Sequence, residues 1–162
     1  MDYQSASPVT LCLSKVTLAA GTTTTLSNTG TTTYLIRSKF YTKAAMTNAA
    51  TPTTDAATGS AFNGVLANYG SVFAVGFNAA GSLLAVQGTI EALDSSGSFI
   101  VAPQFGGFPT DFCMIGYIVI KAGSTANATT GWIFGTSNMS GVTGITYTFV
   151  DAAGVPDRPQ IS

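Results

Sequence analysis

Apolar positions along this chain recur mostly with a period of two, the spacing of strands with one buried face, and they are densest between Phe112 and Ala122. That run, FCMIGYIVIKA, is apolar on both alternating faces. One face carries Phe112, Met114, Gly116, Ile118 and Ile120, and the other Cys113, Ile115, Tyr117 and Val119. Its length of about eleven residues is too short for a membrane-spanning helix, and Gly116 within a β-branched run argues against a buried helix. The pattern therefore predicts a central strand covered on both sides. Antiparallel sheets usually leave one face to solvent, so a doubly apolar strand calls for a second covering layer, which another copy of the chain would supply.

Upstream, Val9, Leu11 and Leu13 alternate on odd positions and Val16 and Leu18 on even ones, which predicts a bulge or two short strands near Ser14 and Lys15. Thr22 to Thr25 suit an exposed edge or an ordered arm, and Ser27 to Gly30 a turn. From Thr32 a half-exposed strand is expected, with Tyr34, Ile36 and Phe40 on one face and Arg37, Lys39, Tyr41 and Lys43 on the other. Residues 44–61 lack an apolar period and read as a long loop lying on a neighbouring subunit. Phe62, Val65, Leu66 and Tyr69 carry the one helical spacing, with Ser60 as N-cap and Gly70 as stop.

The Phe73–Phe77 and Leu84–Ile90 alternations flank Asn78-Ala79-Ala80-Gly81 and predict a β-hairpin; Phe99 to Ala102 would extend it to a meander. Pro103 to Thr110 is a Gly/Pro loop that exposes Phe105 and Phe108 unless a neighbour covers them. After the central strand come a turn at Gly123 to Asn127, the apolar trio Trp132-Ile133-Phe134, and a last strand with Ile145, Tyr147 and Phe149 on one face. The expected whole is one all-β domain over 1–162, an antiparallel β-sandwich, jelly-roll-like, or a β-barrel. Long loops and extended termini complete it: an N-terminal arm at 1–8 and a proline-held C-terminal tail at 152–162.

Composition changes the picture of the surface. Hydrophobic residues make up 46% of the 162, but charged residues only 8%, against roughly 25% in an ordinary soluble domain. Such a chain covers itself with neutral hydroxyl and amide groups or buries its surface against neighbours. A net charge of −1 provides no basic stripe for a nucleic acid. No window reaches membrane-span length and MDYQSASPVT has no signal-peptide pattern, so synthesis and retention in a cytoplasm are expected, without a membrane partner.

Candidate chemistry is sparse. The chain has no His, the commonest general base near neutral pH. Cys12 and Cys113 are its two cysteines, read as buried free thiols, with a disulfide open only if their strands adjoin. Glu91 and Asp94 are the closest carboxylates and flank a turn, where Asp serves the backbone; Asp111 reads as a strand-end residue, and Asp157 and Arg158 as a solvated tail. No catalytic residue, metal ligand set or cofactor motif is assigned, and the chain is not expected to be an enzyme. Trp132, Tyr117, Phe105 and Phe108 leave carbohydrate binding open.

The hairpin from Phe73 to Ala92, GYIVIKAGSTANATTGWIFGTSN at 116–138 and GITYTFVDAAGVPDRPQIS at 144–162 resemble virion structural proteins of tailed bacteriophages, most of all capsid decoration or cement proteins. The resemblance covers about half the chain. It implies a non-enzymatic β-rich subunit, often a homotrimer, on the outer surface of the head, where it bridges major capsid protein subunits and stabilises the capsid without touching DNA. A phage fibre or receptor-binding module that recognises host surface glycan is the alternative.

Overall fold

Period-two alternation of apolar side chains builds the chain from strands. The computed structural model describes residues 8–152, and these form ten strands and no helix. They are β1 (Leu11–Cys12), β2 (Ala19–Ala20), β3 (Thr25–Ser27), β4 (Thr32–Ile36), β5 (Lys39–Lys43), β6 (Ala49–Ala50), β7 (Tyr69–Phe77), β8 (Leu83–Ala92), β9 (Cys113–Ala122) and β10 (Ile145–Asp151). All pairings are antiparallel. A four-stranded sheet runs β10-β9-β7-β8, and two three-stranded sheets run β1-β4-β5 and β2-β3-β6. The large sheet and the two small ones enclose one core as a β-sandwich, and no barrel closes among the described residues. The arm at 1–8 and the tail at 152–162 lie outside the described residues, apart from Pro8 and Ala152.

β7 contributes Phe73, Val75 and Phe77 to the core, and β9 contributes Cys113, Ile115, Ile118, Ile120 and Ala122. Cys12, Val16, Leu18, Leu26, Tyr34, Ile36 and Met46 meet them from the N-terminal half. Trp132, Phe134 and Phe62 pack as an aromatic cluster on Phe73, with Phe73 and Phe134 stacked at 5.0 Å between centroids. Each such buried side chain contributes about 1.5–3 kcal/mol of transfer free energy. Polar groups inside are satisfied: the Asn28 side-chain carbonyl accepts from the Met46 amide at 2.7 Å, and its NH2 donates to Thr32 Oγ1 at 3.2 Å.

β9 is interior, as its sequence predicts, but its faces are not the simple alternates. Val75 pairs with Gly116 and Gly76 with Met114, so Ile115 is an extra residue on β9. This β-bulge switches the inward set from odd positions (Cys113, Ile115) to even ones (Ile118, Ile120, Ala122). Much of the double apolarity is this change of phase. β7 is the more completely buried strand, and of its outward residues Gly70, Ala74 and Gly76 carry little side chain while Val72 packs beside Gly88.

Several expectations are corrected. Residues 32–43 are not one strand but the β4–β5 hairpin, turned at Arg37 and Ser38, both with positive φ (49° and 65°). The turn reverses the phase, leaving Phe40 60% exposed and Tyr41 stacked on Tyr34. The helical spacing at 62–69 forms no helix. Phe62 and Val65 are buried but Leu66 and Tyr69 are exposed, and the backbone is already engaged: Gln87 clamps Asn63 on both N–H and C=O, and Val65 and Trp132 exchange hydrogen bonds. Nor is there a meander, because β9 takes the place beside β7 and residues 99–102 form only one bridge, Leu93 to Phe99. Trp132-Ile133-Phe134 likewise forms a single bridge, from Trp132 to Val65. The 44–61 stretch is ordered on its own chain, through β6 on β3 and the Ala56 amide on the Ala85 carbonyl.

Gly88 lies at a second bulge, where Val72 faces Gly88 and Thr89, and the Gln104 carbonyl occupies the place a Cβ would take. Replacing Gly88 by Ala is expected to cost about 1–3 kcal/mol through this overpacking. Urea unfolding of the variant checks it, and an unchanged midpoint would contradict the close packing.

Candidate interaction surface

The outward face of the large sheet is small at Gly70, Ala74, Gly76 and Gly88, and residues 99–112 fill the resulting depression. The segment starts from a tight turn in which Asp94 Oδ1 accepts from the Ser96 amide and hydroxyl and the Ser98 amide, at 2.7–2.9 Å. The Ser96 hydroxyl, and after it the Ser98 amide, hold the Asp94 carboxyl below its usual pKa. Phe99 then packs over Gly70, with the Lys121 ammonium 5.1 Å from its ring centre. Gln104 is fastened to the β8 bulge by two hydrogen bonds: its amide donates to Thr89 Oγ1 at 2.9 Å, and its carbonyl accepts from the Thr89 amide at 2.8 Å.

Beyond that anchor Phe105 stands edge-on to Tyr117 at 5.4 Å, Phe108 stacks on Phe112 at 5.3 Å, and Phe105 and Phe108 meet at 5.8 Å. Phe112 is buried with Ala74 and Val86 in a small second core. The second covering layer of the sheet is therefore supplied by the chain itself. Beside Gln104, Thr110 and Asp111, this layer leaves four large apolar side chains exposed: Ile100 (66%), Val101 (59%), Phe105 (39%) and Phe108 (42%). The two Phe residues expected in the open loop are thus half-covered, each seated on an aromatic ring of β9 or the residue before it.

Phe108 also borders a cleft of about 490 Å³, lined with it by Leu11, Cys12, Phe112, Cys113, Met114 and Ala152 among others. Cys12 and Cys113 are both buried and both free, and line the same cleft. Cys12 Sγ donates to the Ser14 carbonyl at 3.2 Å. Burial first, then the neighbouring Cys12, pushes the Cys113 thiol up to about 12, and burial also raises Cys12. Neither sulfur has the thiolate character of a nucleophile.

The remaining residues weighed in the sequence are dispersed. Carboxylates serve main-chain amides: Asp55 Oδ1 accepts from Ala57, Asp111 Oδ1 from Ala79 and Asp151 Oδ1 from Leu18, each at 2.8–2.9 Å. Glu91 sits in β8 opposite Gly70, with Asp94 committed to its turn. Trp132 is buried, its Nε1 donating to the Asn138 carbonyl at 2.9 Å, and so is no part of an exposed platform. Arg37 and Lys39 lie at the turn of the β4–β5 hairpin and Lys43 at its far end. Asp157 and Arg158 lie outside the described residues. Among the described residues, no three His, Cys, Asp or Glu side chains come together as metal ligands. The role of 99–104 as a cover escaped sequence reasoning. The signal that could have found it is the placing of Gly70 and Gly88 in adjacent strands, both outward, opposite an apolar stretch with Pro103.

Because Cys113 has a raised pKa when folded, the stability it contributes is complete below the ordinary thiol value near 9 and is lost as the pH climbs toward 12. Tyr34 and Tyr147, also raised by burial, act in the same direction. Chemical unfolding is expected to give a falling free energy above about pH 9, less steep in Cys113→Ala. A free energy level through this range would contradict the buried neutral thiol.

Compared with known proteins, the chain has no match: no family model, no curated protein and no solved structure is significantly similar to it.

Proposed function

We propose that this chain is a non-enzymatic structural subunit of a tailed-phage virion, seated on the outer surface of the head, where it bridges and stabilises major capsid protein. The observation that carries the reading is the exposed Phe105–Phe108 pair on a layer pinned to the sheet behind it, with Ile100 and Val101 exposed elsewhere on the same segment. Pinning matters energetically. A patch already held in place by Phe112, Tyr117 and Thr89 loses little conformational entropy on binding, so more of its burial appears as affinity. Half-exposed aromatics seated in this way are the side chains that dominate protein–protein interfaces.

Low charge supports the same reading, since 8% charged residues leave broad neutral surface to set against other subunits. Asp55, Asp94, Asp111 and Asp151 are engaged with backbone amides, and burial holds the thiols protonated. The glycan-binding alternative draws on Phe105 and Phe108, but their rings are tilted by 46° and present no common plane for a sugar.

The test is addition of purified protein to expanded tailed-phage heads that lack a decoration protein, followed by sedimentation and thermal challenge. Binding with increased heat resistance is expected. A Phe105→Ser, Phe108→Ser double variant is expected to bind at least about thirtyfold more weakly, the equivalent of about 2 kcal/mol. Failure of the wild-type chain to join any such head, together with retention on a glycan array, would replace this reading with the receptor-binding one.

A further inference from the structure

The three longer sheet edges of the molecule are treated differently. β5, at the edge of its sheet, carries Lys39 and Lys43, charges that discourage pairing with a further strand. β8 is closed by its own chain, with the Ala56 amide on the Ala85 carbonyl and Gln104 on Thr89. β10, the other edge of the large sheet, has neither guard among the described residues. Its seven residues, ITYTFVD, contain no proline and no basic residue, and the one charge is at the last position, where Asp151 is engaged with the Leu18 amide.

The phase of its main chain is fixed by two hydrogen bonds at its ends. The Gly144 carbonyl accepts from Gly123 and the Ala152 amide donates to Ile115, so the backbone groups of even-numbered residues point at β9. Those of Ile145, Tyr147, Phe149 and Asp151 therefore point away from the sheet. Ile145 returns its amide to Val142. Among the described residues nothing is hydrogen-bonded to the amides of Tyr147 and Phe149.

We propose that β10 pairs with β10 of a second copy of this chain, antiparallel about a two-fold axis through Thr148, joining the two large sheets into one. The centre of the strand, Tyr147 to Phe149, is self-complementary in that register. Tyr147 of one copy faces Phe149 of the other, and each pair exchanges both backbone hydrogen bonds through the outward groups just identified. Tyr147, Phe149 and Ile145 are half-buried against the core, so pairing covers the flank of the core that one copy leaves open. Thr148, exposed on the other face, meets its own counterpart at the axis, a favourable Thr–Thr cross-strand pair. The partner is a copy of the chain because the aromatic pair, the threonine pair and the unused backbone groups all match under a single two-fold operation, as an isologous contact requires. This contact goes beyond the proposed function and does not rest on it. It makes a dimer and not the homotrimer that the phage resemblance implies.

The test is solution mass by light scattering at about 100 μM chain, well above the micromolar Kd of a weak interface, on wild type and variants at Thr148. Wild type is expected at twice the chain mass. Thr148→Lys alone and Thr148→Asp alone, each placing like charges opposite one another at the axis, are expected to be folded monomers, and their equimolar mixture to regain the double mass. Amide exchange at Tyr147 and Phe149 is expected to be slow in wild type and fast in either variant. A wild-type monomer, a trimer, or a dimer that both charge variants leave intact would each overturn the proposal. Head binding is read separately, so loss of the dimer and loss of the capsid role are distinguishable.

Discussion

Two-sided burial of the large sheet is the constraint on which the rest of the structure depends. β7 and β9 are interior strands, and a chain with so few charges has little with which to solvate a sheet face. One face is covered by the two small sheets through Cys12, Val16, Leu18, Leu26 and Tyr34. The other is covered by residues 99–112, which approach closely because Gly70, Gly76 and Gly88 leave room for Phe99, Phe112 and Gln104. Side-chain volume is thus distributed by face: Phe73, Val75 and Phe77 fill the core, while the outward glycines and Ala74 receive the second layer.

That arrangement transfers the apolar surface outward. A strand face with Met114, Tyr117 and Val119 would have been a flat adhesive surface. Covered, it becomes a support for Phe105 and Phe108, and the exposed apolar groups are concentrated on a connection pinned at Thr89. The same economy governs the acidic residues. Asp55, Asp94, Asp111 and Asp151 each accept main-chain amides at turns or element ends, so charge is used to fix loops.

Much of the sandwich was legible in the sequence. The β7–β8 hairpin, the interior position of β9, the last strand with Tyr147 and Phe149, and two buried thiols all follow from period-two alternation and turn residues. What was not legible depended on phase and on nonlocal partners. A bulge at Ile115 moves the inward set without changing composition. The Arg37-Ser38 turn adopts positive φ without the Gly, Asn or Asp that favours it, so the sequence reads as one strand where two exist. The helical spacing at 62–69 lost to backbone partners more than twenty residues away, Gln87 and Trp132. Of the candidate surface, Phe105 and Phe108 were visible as loop aromatics. The closure of the sheet beneath them was not, since it depends on which face Gly70 and Gly88 share.

The most direct measurement of whether 99–112 is an integral layer is residue-resolved amide hydrogen exchange in the free protein, read at Thr89. Its amide is bonded to the Gln104 carbonyl and to nothing within the sheet, so its protection reports the cover alone. Protection of the same order as Val119, inside the sheet, is the expected result. Exchange at the rate of an open loop, with Val119 still protected, would mean that the cover lifts freely, that the outward face of the sheet is available to partners, and that the pinned apolar patch is not the surface on which function rests.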